Sequence, residues 1–495
     1  MDFKFCVVSL LLFLPTDSFS DTALQKRLDP LMPSSDIRAL ALEPELPGGE
    51  GNEFYRAIAR LHGSLTCTAS FIHTSDKADA PAYLLTNGHC AFDPLEPDSG
   101  NRIVLNADVP DTSYTAEFNY FHDTLDQTIQ VRIVRITYAT MKGQDIAILQ
   151  TDQTVSELES RHLTPLRISP VAPKKDQAVT VAGIPINRGA LILSRCSTGA
   201  TTDVIENYWH WSGLTSNNCT GISSGSSGGP VFDLQQPAHI VGITNTSNIG
   251  AVGDTCYAGN PCKIDESGVG IDRNTNYQVP TTYLSACFDP SGSFNLYATG
   301  CQLPKPSTLT ISEYPFVYSG ENAQYGNTWK FKLRGSGDFV KFKTVDLNRQ
   351  RDSCHIITGY SQPIKLSDFD VSDAPMPIYS EGPHQYCIIR ADNLDATDPE
   401  VVQVLIDNTA PDVSPPVQFT PSDDLVIKPV FLPPEYVDYS VAVGELGHID
   451  CETATYTPYR RIPIHTALVP TTLCINGADF SENRSKNFVL QYVPQ

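Results

Sequence analysis

The sequence predicts an all-β protein made of several units, on three observations. Short runs such as RIVLNADV, TIQVRIVRI, DIAILQ, AVTVAGI and HIVGIT are rich in β-branched residues and end at Gly, Pro, Asn or Asp. Apolar residues at helical spacing are scarce. The length, 495 residues, exceeds what one ordinary core accommodates, so two to four domains are expected.

The units follow in order. Residues 1–20, MDFKFCVVSLLLFLPTDSFS, place Lys4 before an apolar run from Phe5 to Leu14, with Ser18 and Ser20 beyond it. That is the layout of a cleavable secretory signal, so the chain is expected to be secreted, to the extracellular space or a periplasm. Residues 21–52 are rich in Pro and Gly and read as a pro-segment or N-terminal arm. A large β unit spans 53–303. The Pro-rich stretches CQLPKPSTL and NTAPDVSPPVQFTPSDD have linker composition and set off two smaller units, 304–411 and 415–495.

The two smaller units read as a degenerate repeat. Cys387 and Cys474 are each followed, four and five residues on, by Ala-Asp and then by an alternating strand. Units of this size with an internal cysteine pair suit small immunoglobulin-like β-sandwiches. They read either as spacers or as modules that bind a surface, a protein or a carbohydrate. Read as separable, they are expected to be removable without loss of the chemistry of the large unit.

Charge and cysteines exclude other classes. The formal charge of −22 comes without clustered Lys and Arg, which argues against nucleic-acid binding. No segment after the signal reaches the ~18 consecutive apolar residues of a membrane span. Of 13 cysteines, Cys6 lies in the signal, and the remaining 12 make an even set in a chain bound for an oxidising compartment. Asn218-Cys219-Thr220 and Asn483-Arg484-Ser485 fit the N-glycosylation pattern.

Three segments carry the chemistry. The first, AYLLTNGHCAF, ends an apolar strand at His89-Cys90; the second, GQDIAIL, opens a strand at Asp145; the third, GISSGSSGGPVFD, is a glycine-serine loop. Taken singly, they read as a structural histidine, a strand-end cap and a solvated loop. His89 beside Cys90 also admits metal binding, but no cluster with zinc spacing accompanies it.

In the order His, Asp, Ser, the three together resemble the chymotrypsin-like serine proteases, over about residues 54–290. The resemblance is closest in character to the exported bacterial branch with its glutamyl and lysyl endopeptidases. It implies a two-barrel protease domain that hydrolyses proteins or peptides through an acyl-enzyme and needs no cofactor or metal. His89 is then the general base, Asp145 the carboxylate that orients it and Ser227 the nucleophile. The amides of Gly225 and Ser227 form the oxyanion hole. The family's usual Asp before the nucleophile is Ser226 here, and no Ile-Val-Gly-Gly activation site precedes residue 54, so another contact is expected to hold the oxyanion loop. The primary pocket falls at Gly221, Gly242 and Thr244, an uncharged setting for apolar or small side chains. Asp265, Glu266 and Asp272 are the carboxylates that could alter it.

The resemblance also pairs Cys67 with Cys90. Proximity in sequence suggests Cys196 with Cys219, Cys256 with Cys262, Cys287 with Cys301, Cys354 with Cys387 and Cys451 with Cys474, although spacing alone leaves connectivity open. Two rival readings accompany the protease. The string GSSGG also fits an α/β-hydrolase elbow, which requires a helix after the serine that Gly228-Gly229-Pro230 does not begin. The other rival is an inactive protease-fold scaffold for binding through the C-terminal units.

Overall fold

A computed structural model describes residues 46–494 except 50, 64, 250–255, 325–326, 350–352 and 431–434. The expected signal, and the expected arm up to residue 45, lie outside the described residues. Among the described residues, regular α-helix is confined to one turn, Val155–Glu159, started by a capping box between Thr154 and Glu157.

Seven strands come first: β1 (Ile58–His62), β2 (Thr66–Ile72), β3 (Pro81–Thr86), β4 (Ile103–Asp108), β5 (Thr115–Phe118), β6 (Ile129–Thr140) and β7 (Ile146–Thr154). Antiparallel pairing runs β5-β1-β2-β3-β7-β6, and β6 returns to β5, closing a six-stranded barrel; β4 pairs with β6 outside the ring. β2 buries six of its seven residues, because one face fills the barrel while the other meets a loop of the next barrel.

The second set is β8 (Arg167–Ile168), β9 (Ala178–Gly183), β10 (Ile192–Glu206), β11 (Trp209–Asn217), β12 (Pro230–Asp233), β13 (Gln236–Ser247), β14 (Cys262–Asp265), β15 (Gly268–Gly270) and β16 (Asn276–Pro280). The ring β9-β12-β13-β16-β11-β10 closes on itself as a second six-stranded barrel. Closure leaves neither ring an open edge.

Two further β-rich units follow. The first holds a five-stranded sheet whose centre is Phe339–Asp346, Gly382–Arg390 and Glu400–Ile406, with its own apolar cluster around Trp329, Tyr386 and Ile388. The second combines a three-stranded and a four-stranded sheet around Leu425, Tyr439 and Ile475. Six disulfides join Cys67–Cys90, Cys196–Cys219, Cys256–Cys262, Cys287–Cys301, Cys354–Cys387 and Cys451–Cys474.

The C-terminal units are packed onto the barrels. Leu303 is buried, and Tyr138 donates to the carbonyl of Pro304 at 2.9 Å, so the Pro-rich segment there lies against the first barrel. Asn101 and Val401 exchange two hydrogen bonds, at 2.6 and 2.9 Å. Lys142 and Glu400 form a buried ion pair at 2.6 Å. Tyr257 of the second barrel, Tyr318 and Phe480 pack as an aromatic trio, with centroids 4.5–5.1 Å apart, joining all three parts of the chain.

This packing corrects one expectation. Asn483 is buried, its side-chain amide donating to the carbonyl of Asp407 and to Asp479, so it presents no acceptor for a glycan. Asn218 is exposed.

Candidate active site

His89 sits in the single turn Gly88–Cys90 that follows β3. Gly88 is required there, since a Cβ would collide with the carbonyl of Thr140 and meet Asp145. Asn87 donates to the backbone carbonyl of Asp145 at 2.8 Å, and the Cys67–Cys90 bond ties the turn to β2. These contacts fix the imidazole relative to the start of β7.

Asp145 is fully buried and grips His89 twice. One carboxylate oxygen accepts the His89 amide at 3.0 Å, and the other lies 2.6 Å from His89 Nδ1. A buried carboxylate at that distance selects the tautomer with a proton on Nδ1, leaving Nε2 free to accept one. Burial disfavours the charged imidazolium, but the charge and hydrogen bond of Asp145 outweigh it, with Glu206 acting in the same sense, and the pKa of His89 rises. The sulfurs of Cys67 and Cys90 also lie near the ring; joined to each other, they offer no thiolate to a metal.

Ser227 lies in the loop before β12. Gly225 (φ +95°) and Gly228 (φ +79°) take left-handed backbone, and a Cβ on Gly228 would strike Thr68 and Thr86. Among the described residues, the amides of Gly225 and Ser227 donate to no protein group. Thr68 holds this loop: its hydroxyl donates to the Gly225 carbonyl at 2.8 Å and accepts the Ile184 amide at 2.9 Å, while its own amide donates to the Ser227 carbonyl at 2.8 Å. Ser226 is buried within a turn closed by its amide on the Ser223 carbonyl at 2.9 Å.

His89, Gly225, Ser227 and Thr244 line one cleft of about 240 Å³, with Asp145 behind His89. Gly221 and Gly242 lie outside that lining; Gly242 is locked in β13 between Val231 and Pro280. Asp265 and Asp272 pair with Lys263, and neither they nor Glu266 line the cleft. Two carboxylates do line it: Asp93, which is exposed, and Glu206, buried at the end of β10. Burial raises its pKa, against the lowering effect of hydrogen bonds from Gly259 and Thr246. Sequence reasoning missed Glu206, Thr68, Trp209 and Trp211. The acid in VIENYWHW was the one local signal, and it does not say which way the hairpin faces.

Two closed antiparallel barrels with a cleft lined from both place the fold in the chymotrypsin-like class. Residues 67–243 match the family model of the trypsin-like peptidase domain. No curated protein matches the chain. Among solved structures, it is similar to the Rv3671c protease from M. tuberculosis in its active form, at 15% identity over 49% of this chain and 86% of that one, with a TM-score of 0.28. The MamO protease domain from Magnetospirillum magneticum is similar at 13% identity, covering 48% and 98%, with a TM-score of 0.30. Human heparin binding protein is similar at 12% identity, covering 49% and 92%, with a TM-score of 0.31.

Proposed function

We propose that the chain is an exported serine endopeptidase whose catalytic residues are His89, Asp145 and Ser227. The observation that carries this reading is the 2.6 Å contact of His89 Nδ1 with the buried Asp145, in a cleft that His89 shares with Ser227. Ser227 Oγ attacks the scissile carbonyl carbon as its proton passes to His89 Nε2. The carbonyl oxygen becomes an oxyanion that accepts from the amides of Gly225 and Ser227. Collapse breaks the C–N bond, and His89 Nε2 delivers its proton to the leaving amine. Water then attacks the resulting ester, giving a proton to His89, which returns it to Ser227 Oγ as the acid product departs. Asp145 stabilises the imidazolium in both halves.

Export is supported by the apolar leader and by six disulfides, which persist in oxidising compartments. Among the described residues, no helix is long and apolar enough to cross a membrane. The test is fluorophosphonate labelling of the full chain beside its Ser227→Ala variant, read by intact mass. A label on the wild type that is lost in the variant is the expected result. A folded, matured wild type that takes no label would favour the inactive scaffold.

A further inference from the structure

The cleft contains groups that the triad does not use. Glu206 is 5% exposed, and its two oxygens accept from Thr246 Oγ1 and from the Gly259 amide, each at 2.5 Å. Both donors are neutral, and among the described residues no Lys or Arg is paired with this carboxylate. Burial without a paired Lys or Arg disfavours the charge of this carboxylate, an imbalance that a cation placed against it would relieve. The same cleft is lined by Asn245, whose side-chain oxygen and nitrogen are buried and unpartnered, and by Trp211, whose indole N–H is likewise unpartnered. Much of the remaining wall is apolar, with Leu65, Met141, Ile186, Trp209 and Ile222.

Apolar walls enclosing one buried carboxylate and one unused amide oxygen match a ligand with a hydrocarbon stem and a cationic, hydrogen-donating head; the other carboxylate of the lining, Asp93, is exposed. Lysine and arginine side chains have this form. We infer that Glu206 is the specificity-determining residue for a lysine or arginine side chain of the peptide substrate, with Asn245 as a second acceptor. This rests on the peptidase reading above. It replaces the uncharged pocket expected from Gly221, and it places the acid on the β10–β11 hairpin, a different element from the loop that precedes Ser227.

The test uses fluorogenic peptides that differ at one position at a time, carrying Lys, Arg or norleucine. Norleucine keeps the stem of lysine and removes its charge. The wild type is expected to favour Lys or Arg over norleucine at one position by about 10- to 100-fold in kcat/KM, the range for a hydrogen bond to a charged group. Glu206→Gln should collapse that ratio at the same position. Equal rates for lysine and norleucine at every position, in wild type that labels with fluorophosphonate, would overturn the assignment, whether or not the variant folds. Failure of labelling would instead strike the catalytic reading. Calorimetric binding of the lysine and norleucine peptides to Ser227→Ala then judges Glu206 separately: tighter binding of lysine supports it, and equal binding overturns it.

Discussion

Thr68 donates its hydroxyl hydrogen to the carbonyl oxygen of Gly225 at 2.8 Å, bridging the first barrel to the loop that presents Ser227. Through its amide it also holds the Ser227 carbonyl, so both residues whose amides form the proposed oxyanion hole are held, through their carbonyls, by one residue of β2. Ser226 has no charge with which to form an ion pair, so the Thr68 contacts are expected to hold this loop. Thr68→Val keeps the shape and removes the hydroxyl. We expect kcat to fall roughly tenfold, the worth of one buried hydrogen bond, with KM little changed. Thr68→Ser should restore most of the loss, and steady-state kinetics on the three proteins decides.

The pH dependence follows from the environment of His89. Its neutral form is the base, so activity falls as pH drops through its pKa. That pKa lies above the ordinary ~6.5, because Asp145 and Glu206 together favour the imidazolium more than burial disfavours it. The acid limb of kcat/KM against pH, which reports the free enzyme, should therefore sit above pH 6.5. Glu206→Gln removes one negative charge and should move that limb to lower pH. An unmoved limb would show that Glu206 does not act on His89.

Removing residues 304–495 is expected to destroy the catalytic unit, against the separability that linker composition suggests. The cut would expose Tyr138, Tyr257 and Trp209 and leave Lys142 without Glu400. A single change isolates the last effect. Glu400→Gln strands the Lys142 charge in the interface and should destabilise the protein by about 3 kcal/mol or more. Denaturant unfolding of the point variant, and soluble yield of the truncation, measure the two.

Tyr318 and Gln403 reach the turn that follows Glu206, donating to Asn207 Oδ1 at 2.7 Å and to the Asn207 carbonyl at 2.6 Å. Tyr318→Phe should loosen that turn and raise KM for lysine or arginine peptides more than it lowers kcat. Norleucine peptides serve as the control, since they do not engage Glu206.

A second titration lies at the junction of the three units. Burial, with Asp407 beside it, pushes the Asp479 carboxyl up to about 8, far above the usual carboxylate range. A raised folded-state pKa means that the ionised form is the unfavourable one. The stability it contributes is complete below about pH 4 and is lost as pH rises towards 8. Asp479→Asn should flatten that decline. Thermal unfolding midpoints at pH 5 and pH 8.5, compared between wild type and variant, test it.

Much of this was legible in the sequence. The β-branched runs bounded by turn residues predict strands because side-chain alternation and turn chemistry are local properties. The His89, Asp145 and Ser227 segments stood out for the same reason: each is a short string in which glycines and flanking apolar residues set a local backbone path. Cysteine parity likewise needed only counting. What tertiary structure alone decided are the relations across closed rings. Thr68 is an ordinary strand threonine until the second barrel brings Gly225 against it, 157 residues later. Glu206 is one acid among many until the β10–β11 hairpin turns it into the cleft. The segment from Cys301 reads as a linker until Leu303 and Tyr318 bury against the barrels, because burial depends on which distant surface is present, and residues close in the chain carry no record of that surface.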